Sequence, residues 1–435
     1  MWEKKSNVGG VIFRIFVFLI AAALLVGFYF YYKKTTEENE EQDLAYLAQY
    51  EQQLSSQENT ANTPQTGSKT GGAAEVQAAY EADLAAIQTY MPGIVCWGDV
   101  LTGGSAGGVS FPGVLQDLID LNICDKYDFR STVDFADNLT KIRWEDYRVD
   151  IPVVNMGVGE ESSYTVLGRA GAVPYLVGED LTVPAECEPV EIRLTNEFAK
   201  HVKPLIFGDG GVNPVVIGGI EGTLTADPSS YSQYSSGRYS FTRLTPGTET
   251  EIAKGTEIVT SGSNLYKDYI HVIFIGTYGD FYQAQELVDQ QKALLARQTG
   301  NSDRYIVLGM YMSNDQSIPS STLTQAESLM SQAFGNRFIN LRKYLTGDAL
   351  RDTGITATKD DESYLRNNLV PPSLRSTPYS VELNAQTYEA IGKVVYDRMD
   401  MLGYFDEIKD ELGITAMEKA EKQAAAQAAA MPASK

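Results

Sequence analysis

The sequence predicts an α/β protein whose central sheet is parallel. Short apolar runs recur through the central part of the chain, at 94–97, 151–156, 269–275 and 305–309. Helical stretches such as 114–121 lie between them. Continuous apolar runs are typical of strands buried on both faces, and intervening helices are typical of parallel connections. We therefore expect an open sheet between layers of helices, with a site at the carboxyl ends of its strands.

One segment departs from this alternation. Short runs with a two-residue period, at 190–194, 239–242 and 257–260, are separated by Gly, Pro and Ser. This pattern is typical of half-buried strands joined by turns. We predict a small β-rich subdomain inserted at about 186–262, in which the Tyr- and Ser-rich stretch 229–239 is an exposed loop.

The N-terminal part predicts a membrane anchor. Residues 15–32 form an apolar run just long enough to cross a bilayer, and its closing aromatic residues suit the interface. Basic residues precede the run, so we expect residues 1–14 in the cytoplasm and the main domain outside a bacterial cell membrane. A cleaved secretory signal is the alternative, although the apolar run continues well past the small residues at 21–23.

Residues 33–73 are interpreted as a helical stalk followed by a flexible linker. Leu44, Leu47 and Leu54 have coiled-coil-like spacing, which makes 38–56 a candidate contact between two copies of the chain. An amphipathic stalk without a partner is the plainer interpretation.

The main α/β domain is predicted to cover 74–410. It begins with a helix at 74–90 whose apolar side chains share one face. An Ala-rich tail follows at 411–435.

Composition excludes several classes of function. The 435 residues include 57 acidic and 35 basic side chains, a formal charge of −22. Nucleic acid is not expected as a partner, because phosphate binding needs a positive surface. The chain has only two histidines, His201 and His271, which excludes a His-rich zinc site. We expect neither a metal nor a cofactor, and three cysteines are too few for a disulfide scaffold.

Four sequence blocks follow predicted strands or begin predicted helices. They lie at 94–104, 154–162, 275–279 and 381–392, and read IVCWGDVLTGG, VNMGVGEES, IGTYG and VELNAQTYEAIG. In order, spacing and context they resemble the blocks of the SGNH (GDSL) hydrolase family, over nearly the whole central region. The resemblance implies an SGNH-like three-layer sandwich, and the β-rich insert is similar to one in some bacterial surface members.

The resemblance also implies catalytic residues that this chain lacks. In the family a Ser after Gly-Asp attacks an acyl carbonyl and a His in the last block accepts its proton; here Val100 and Glu382 stand at those places. Tyr278 replaces the Asn that donates to the oxyanion, and 376–379 read Ser-Thr-Pro-Tyr where the orienting Asp would lie. Nucleophile and base supply most of the rate enhancement, so we expect a pseudoenzyme.

The pocket itself is expected to persist as a ligand-binding site. The resemblance implies that it is lined by Asp99, Val100, Gly159, Tyr278 and Glu382. The backbone N–H groups at Val100 and Gly159 would point at the former oxyanion position. Asp99 and Glu382 could pair for glycoside-type acid–base chemistry, but the family residue that matches Asp99 is not a reacting group.

These observations predict binding or scaffolding at the cell envelope. By family analogy the ligand is a polysaccharide or peptidoglycan, with a protein ligand also open. The alternative is an active ester hydrolase, such as a carbohydrate esterase or deacetylase, that uses a non-standard nucleophile. A third interpretation is an assembly protein that oligomerises through the stalk and uses the domain as a spacer.

Other chemically capable side chains have plainer interpretations. Ser105 lies in a Gly-rich loop and is interpreted as a turn residue. His271 lies inside a predicted strand and Cys96 inside another, so both are expected in the core. The run at 360–362 lacks the spacing of a calcium loop and is expected to be a solvated acidic loop.

Overall fold

The computed structural model describes a large part of the chain, namely residues 72–105, 107–127, 148–159, 161–198, 210–226, 239–300, 303–312 and 319–430. They belong to one compact unit, Gly71–Lys435. The predicted head, membrane helix and coiled-coil segment, at 1–14, 15–32 and 38–56, lie outside the described residues. Within the described ranges, every helix is too short or too polar to cross a bilayer.

The strands come in chain order as follows: β1 (Ile94–Gly98), β2 (Val153–Gly157), β3 (Tyr175–Val177), β4 (Leu181–Val183), β5 (Val190–Ile192), β6 (Leu194–Thr195), β7 (Val215–Ile217), β8 (Ile220–Ala226), β9 (Tyr239–Arg243), β10 (Thr250–Ile252), β11 (Glu257–Thr260), β12 (Ile270–Phe274), β13 (Tyr305–Leu308) and β14 (Phe338–Ile339). The apolar runs predicted as strands thus form β1, β2, β12 and β13.

The helices come in chain order as follows: α1 (Gly72–Tyr90), α2 (Val100–Gly103), α3 (Phe111–Ile119), α4 (Ser163–Arg169), α5 (Ser261–Leu265), α6 (Ala284–Leu295), α7 (Ser320–Phe334), α8 (Leu341–Leu345), α9 (Ala349–Asp352), α10 (Lys359–Arg366), α11 (Ala385–Met401), α12 (Asp406–Glu411) and α13 (Ile414–Ala430). Polar side chains begin several of them. Ser110 accepts a hydrogen bond from the N–H of Gly113 (3.2 Å) and Asn384 accepts one from that of Thr387 (2.9 Å), which satisfies donors left free in a first helical turn.

A parallel sheet of five strands forms the centre of the described structure, in the order β14-β13-β12-β1-β2. Gly98, the last residue of β1, lies opposite Gly157 of β2 and Phe274 of β12. The predicted α/β class with a parallel sheet is therefore confirmed. Strand order reverses between β1 and β12, and this switch point is where open α/β sheets leave a crevice for ligands.

Both faces of this sheet are covered. Ile94 and Cys96 of β1 pack in one apolar cluster with residues of α3 and α11, whereas Val95 and Trp97 pack in a second cluster with residues of α4, α6 and α7. Alternate residues of a strand point to opposite faces, so a continuous apolar run is what a sheet between two helical layers requires. Cys96 is a fully buried core residue, as expected.

A second group of strands, β3 to β11, forms antiparallel sheets. Seven of them pair in the order β5-β9-β8-β7-β11-β3-β6, and β10 pairs with β4. Their core includes Tyr175, Val177, Val215, Ile217 and Phe241. This β-rich region begins at β3, upstream of the predicted start near 186. The prediction missed β3 and β4, because strands of three residues have too short a pattern to recognise.

The structure bears on two predicted loop regions. Residues 229–238 of the predicted exposed loop lie outside the described residues. Tyr239, its last residue, begins β9 and is 3% exposed, which agrees with the strand predicted at 239–242. The acidic run at 360–362 is not a solvated loop, because it forms the first turn of α10 and Asp361 within it is fully buried.

Asp361 is buried because its carboxylate organises the chain around it. It accepts hydrogen bonds from the N–H of Thr358 (2.8 Å) and from the N–H of Ser373 (3.0 Å), and both hydroxyls also donate to it. Burial raises the pKa of Asp361, but these bonds outweigh it and lower the pKa below its usual value. The interaction joins α10 to the turn that precedes the last sequence block.

The Ala-rich tail begins as part of the fold. Its described part forms α13, whose first residue Ile414 is fully buried together with Leu412 just before it. Both belong to the apolar cluster that contains α3 and α11.

Candidate functional site

The switch point of the central sheet brings two predicted site residues to one edge of the sheet. Asp99 follows β1 directly, and Tyr278 lies four residues beyond Phe274, the end of β12. Asp99 is 1% exposed and also interacts with Thr277, which favours its charged form. Asp99 and Tyr278 thus follow two neighbouring strands at the same edge of the sheet.

Asp99 is held in place as the N-cap of α2. Its Oδ1 accepts a hydrogen bond from the N–H of Leu101 at 2.9 Å. Its Oδ2 is buried without a hydrogen-bond partner among the described residues. Val100 is the first residue of α2 and is half-buried. An acidic N-cap is common in proteins. The carboxylate of Asp99 therefore has a structural role that does not require it to take part in a reaction.

The edge of the sheet is closely packed because β1 and β2 both end in glycine. A Cβ on Gly157 would lie 2.0 Å from the nitrogen of Gly103 in α2, which a real side chain cannot do. A Cβ on Gly98 would lie 2.4 Å from the carbonyl oxygen of Phe274. These two glycines let β2 and β12 approach the turn between β1 and α2.

A buried ion pair lies behind this turn. The guanidinium of Arg169 lies 2.7 Å from Oε2 of Glu161, and neither side chain has exposed surface. Arg169 also donates to the carbonyls of Met156 (3.0 Å), Gly98 (3.3 Å) and Gly210. One arginine therefore joins the ends of β1 and β2 to the segment that leads into β7.

Both buried carboxyls of this region hold a proton more tightly than usual. Burial raises the pKa of Asp99 from 3.8 to about 7, although the N–H of Leu101 and the contact with Thr277 act in the opposite direction. Burial also raises the pKa of Glu161, from 4.5 to about 7, against the attraction of Arg169. The charge of Asp99 raises the pKa of Glu161 further, so the two carboxyls interact.

Two buried tyrosines, Tyr311 and Tyr388, lie within electrostatic reach of Asp99. Tyr388 is fully buried; burial is the main reason that its pKa is raised, and the charges of Glu382 and Asp99 raise it further. Tyr311 is 2% exposed and its hydroxyl donates to the carbonyl of Val381. Burial likewise raises the pKa of Tyr311, with contributions from Tyr388 and Asp99.

The structure therefore brings Asp99, Tyr278 and Glu382 within electrostatic reach of Tyr388. Tyr278 and Glu382 are half-buried, as is Val100. Gly159 is also half-buried and follows Val158, whose N–H donates to the carbonyl of Gly98 at 3.2 Å. Asp99 differs from the others, because its side chain faces the interior.

His271 cannot act at this edge. It lies opposite Val95 in β1, four residues before Asp99, which at about 3.3 Å per residue is roughly 13 Å away. Its Nε2 lies 3.1 Å from the carbonyl oxygen of Tyr266. Burial lowers its pKa from 6.5 to about 4, against the effect of that carbonyl. His271 is therefore a neutral core residue, as expected; His201 lies outside the described residues.

Ser105 occupies a turn, as the Gly-rich sequence predicts. Its N–H donates to the carbonyl of Val109 (2.8 Å), and its own carbonyl accepts from the N–H of Gly108 (2.9 Å). Its hydroxyl has no hydrogen-bond partner among the described residues, so no base is in place to activate it.

A cavity of about 340 Å³ lies beside Tyr311, beyond the carboxyl end of β13. Tyr311 lines it, together with Tyr364, Tyr379, Arg342 and Arg375. Tyr311 also lies within electrostatic reach of Asp99.

Several of these residues are not recognisable from the sequence. Nothing in the pattern indicates that Arg169 and Glu161 are buried, since their partners come from distant segments. Arg375 lies just before residues 376–379, where the family resemblance indicates only a missing Asp. In the part of the chain that the structure describes, no group of three His, Cys, Asp or Glu side chains could hold a metal ion.

A scan against protein-family models finds no match to this sequence, and a search of curated proteins finds no significantly similar chain.

Proposed function

We propose that this protein is a membrane-anchored, non-hydrolytic member of the SGNH-like class that binds a cell-envelope carbohydrate polymer in the crevice between β1 and β12. In this proposal residues 15–32 anchor the chain and the α/β domain lies outside the cell. The SGNH-like assignment rests on the four sequence blocks and is supported by the parallel sheet and its switch point.

The observation that carries the proposal is the identity of Val100. It is the first residue of α2, directly after Asp99, at the place where the family resemblance puts the nucleophile. An isopropyl side chain has no atom that can attack a carbonyl. Glu382 stands at the place of the base, and His271, the one histidine among the described residues, lies opposite Val95 near the start of β1.

The groups that remain suit binding. Tyr278 and Glu382 offer a phenol and a carboxylate that are half-buried, and both lie within electrostatic reach of the buried Tyr388. Concave sites with a few convergent polar groups bind small ligands without reaction. Sugar hydroxyls match such a set, because they both donate and accept hydrogen bonds.

The test uses the full-length chain and its Val100→Ser/Glu382→His double variant, assayed with p-nitrophenyl acetate and acetylated xylan. We expect no turnover by the natural chain. Co-sedimentation with insoluble peptidoglycan and with acetylated xylan measures binding, which Tyr278→Ala and Glu382→Ala should weaken without a change in melting temperature. Glu411→Ala, an exposed residue in α12, serves as the control.

Two results would contradict the proposal. Turnover by the natural chain that disappears in Ser105→Ala would favour the alternative, an ester hydrolase with a non-standard nucleophile. Binding that neither Tyr278→Ala nor Glu382→Ala weakens would remove the crevice from the function.

A further inference from the structure

The cavity beside Tyr311 contains an arginine that is buried without a counterion. Arg375 is 9% exposed and lines the cavity. Among the described residues it forms no ion pair, unlike Arg342 on another wall, whose guanidinium binds both carboxylate oxygens of Glu327 at 2.6 and 2.7 Å. Burying a charge without an opposite charge is unfavourable, so this position favours an anion.

The hydrogen bonds of Arg375 leave part of its guanidinium free. The carbonyls of Val370 (2.6 Å) and Pro378 (3.4 Å) accept from its two terminal nitrogens. Its Nε has no acceptor among the described residues, although the atom is buried. A guanidinium has five N–H donors in a planar fork, so these two contacts orient the group and leave donors for a ligand.

Aromatic and apolar surface surrounds this cation. The guanidinium carbon of Arg375 lies 5.5 Å from the centre of the Tyr364 ring. Tyr379 is 87% exposed and Leu369 is 46% exposed, and both belong to the cavity wall. Asn368 adds a polar side chain to the same wall. A ring-shaped ligand could stack on the tyrosines while an acidic substituent reaches the arginine.

We infer that this cavity binds a carboxylate-bearing sugar unit, with its carboxylate held by Arg375 and its ring against Tyr364 and Tyr379. The inference rests on the proposed carbohydrate-binding function and narrows it to an acidic glycan. A volume of about 340 Å³ lies at the lower end of the range for small-ligand pockets, which suits one or two sugar rings. Tyr311 lines this cavity and lies within electrostatic reach of Asp99 at the edge of the sheet.

The net charge of the chain opposes the approach of an anion. With a formal charge of −22, the protein repels anions at long range. A local cation that carries no carboxylate partner is therefore required for an acidic sugar to bind. Added salt should screen this repulsion. The affinity for an acidic sugar should therefore fall less with salt than the affinity of an anion for a basic protein surface does.

The experiment measures binding of a galacturonic acid trimer and of its methyl ester to the full-length chain by calorimetry. The ester keeps the rings and removes the charge. We expect the acid to bind at least about tenfold more tightly than the ester, as for hydrogen bonds to a charged group. Arg375→Gln should remove that difference, and Arg375→Lys, which keeps the charge without the fork, should retain part of it.

Two further variants complete the design. Tyr379→Ala changes a residue that is 87% exposed, so it should leave the melting temperature unchanged while weakening both trimers. Arg351→Gln is the matched control, since Arg351 has a 73% exposed side chain and lies outside the cavity; it should change neither affinity. Sodium acetate tests whether a free carboxylate alone suffices, and we expect it to bind far more weakly than the trimer.

The inference is overturned if acid and ester bind equally, or if acetate competes as well as the trimer. It is also overturned if the acid binds to the Asp315→Asn variant and not to the natural chain. Asp315 belongs to residues 313–318, which lie outside the described residues between Met312 and Pro319. That result would make its carboxylate the native partner of Arg375. Equal binding of acid and ester with intact effects of Tyr278→Ala and Glu382→Ala would leave the proposed function standing. Absence of all glycan binding would remove both.

Discussion

Glu161 and Arg169 form an ion pair with no exposed side-chain surface, 2.7 Å apart, behind the turn that joins β1 to α2. The guanidinium also donates hydrogen bonds to the carbonyl groups of Gly98, Met156 and Gly210. Its central carbon lies 5.8 Å from the centre of the Trp97 ring. Segments that are far apart in sequence meet at this arginine. The carboxyl edge of the sheet, and with it the crevice, therefore depends on a single charged side chain.

Glu161→Gln should destabilise the protein strongly. It leaves Arg169 buried without its counterion, and breaking one side of a buried pair costs about 3–5 kcal/mol. Urea unfolding followed by circular dichroism measures the loss. Glu179→Gln is the control, because Glu179 pairs with Arg193 on the surface, with side chains 58% and 72% exposed; this change should cost less than about 1 kcal/mol. Equal losses would contradict the role of burial.

Asp99→Asn should reduce the loss of stability at rising pH. A carboxyl whose pKa is raised in the folded state binds a proton more tightly there than in the unfolded chain. Its contribution to stability is therefore complete below 3.8 and declines as pH rises to about 7. Asparagine keeps an acceptor for the N–H of Leu101 but does not titrate.

Unfolding free energies at pH 5 and pH 8 test this expectation. The decline between these values should be smaller in Asp99→Asn than in the natural protein, by a few kcal/mol at most. Part of the decline should persist, because Glu161 has a raised pKa as well. Asp360→Asn, at an exposed position in α10, should leave the profile unchanged; an identical profile in Asp99→Asn would show that the carboxyl is not the titrating group.

His271→Gln should have the opposite effect on pH dependence. The pKa of His271 is lowered to about 4, so the unfolded chain binds a proton between about 4 and 6.5 while the folded chain does not. Stability contributed by this residue therefore falls as pH drops through that window. The variant should lose less stability between pH 7 and pH 4.5 than the natural protein, by about 2–3 kcal/mol; a larger loss would contradict the buried neutral imidazole.

Gly157→Ala should disrupt the edge of the sheet. Its Cβ would lie 2.0 Å from a backbone nitrogen of α2, and backbone cannot move away as a flexible side chain can. We expect a loss of about 3 kcal/mol in unfolding free energy and weaker binding in the crevice. Gly107→Ala is the matched control, because the nearest atom to its Cβ lies 3.6 Å away; a loss as large as that of Gly157→Ala would exclude the close approach as the cause.

The central strands were predictable because their signal is strong and local. The run at 94–97 became β1, Ile94–Gly98, and 305–309 became β13, Tyr305–Leu308. Each is buried on both faces, so every position in the strand is apolar. The acidic run at 360–362 was predicted wrongly for the complementary reason: local charge suggests solvent, but Asp361 is buried by hydrogen bonds that reach Ser373, twelve residues away.

The site was predictable only in part. Asp99 and Tyr278 lie at strand ends that any parallel sheet brings to one edge, and the structure places both at the switch point. Arg375, Tyr311 and Tyr388 were missed, because nothing in the local pattern shows that a single Arg or Tyr is buried beside charged groups. Their burial depends on which segments pack against them.

By itself the sequence determined the α/β class, the central strands and the presence of Val100 and Glu382 where the resemblance to SGNH hydrolases puts a Ser and a His, because these properties belong to individual residues and their local spacing. Only the tertiary structure decided that Glu161 and Arg169 form a buried pair and that Arg375 lines a cavity with no counterion among the described residues. The physical reason is that burial of a charge is a property of all the surrounding segments together. The energy of that charge depends on neighbours that sequence distance does not reveal.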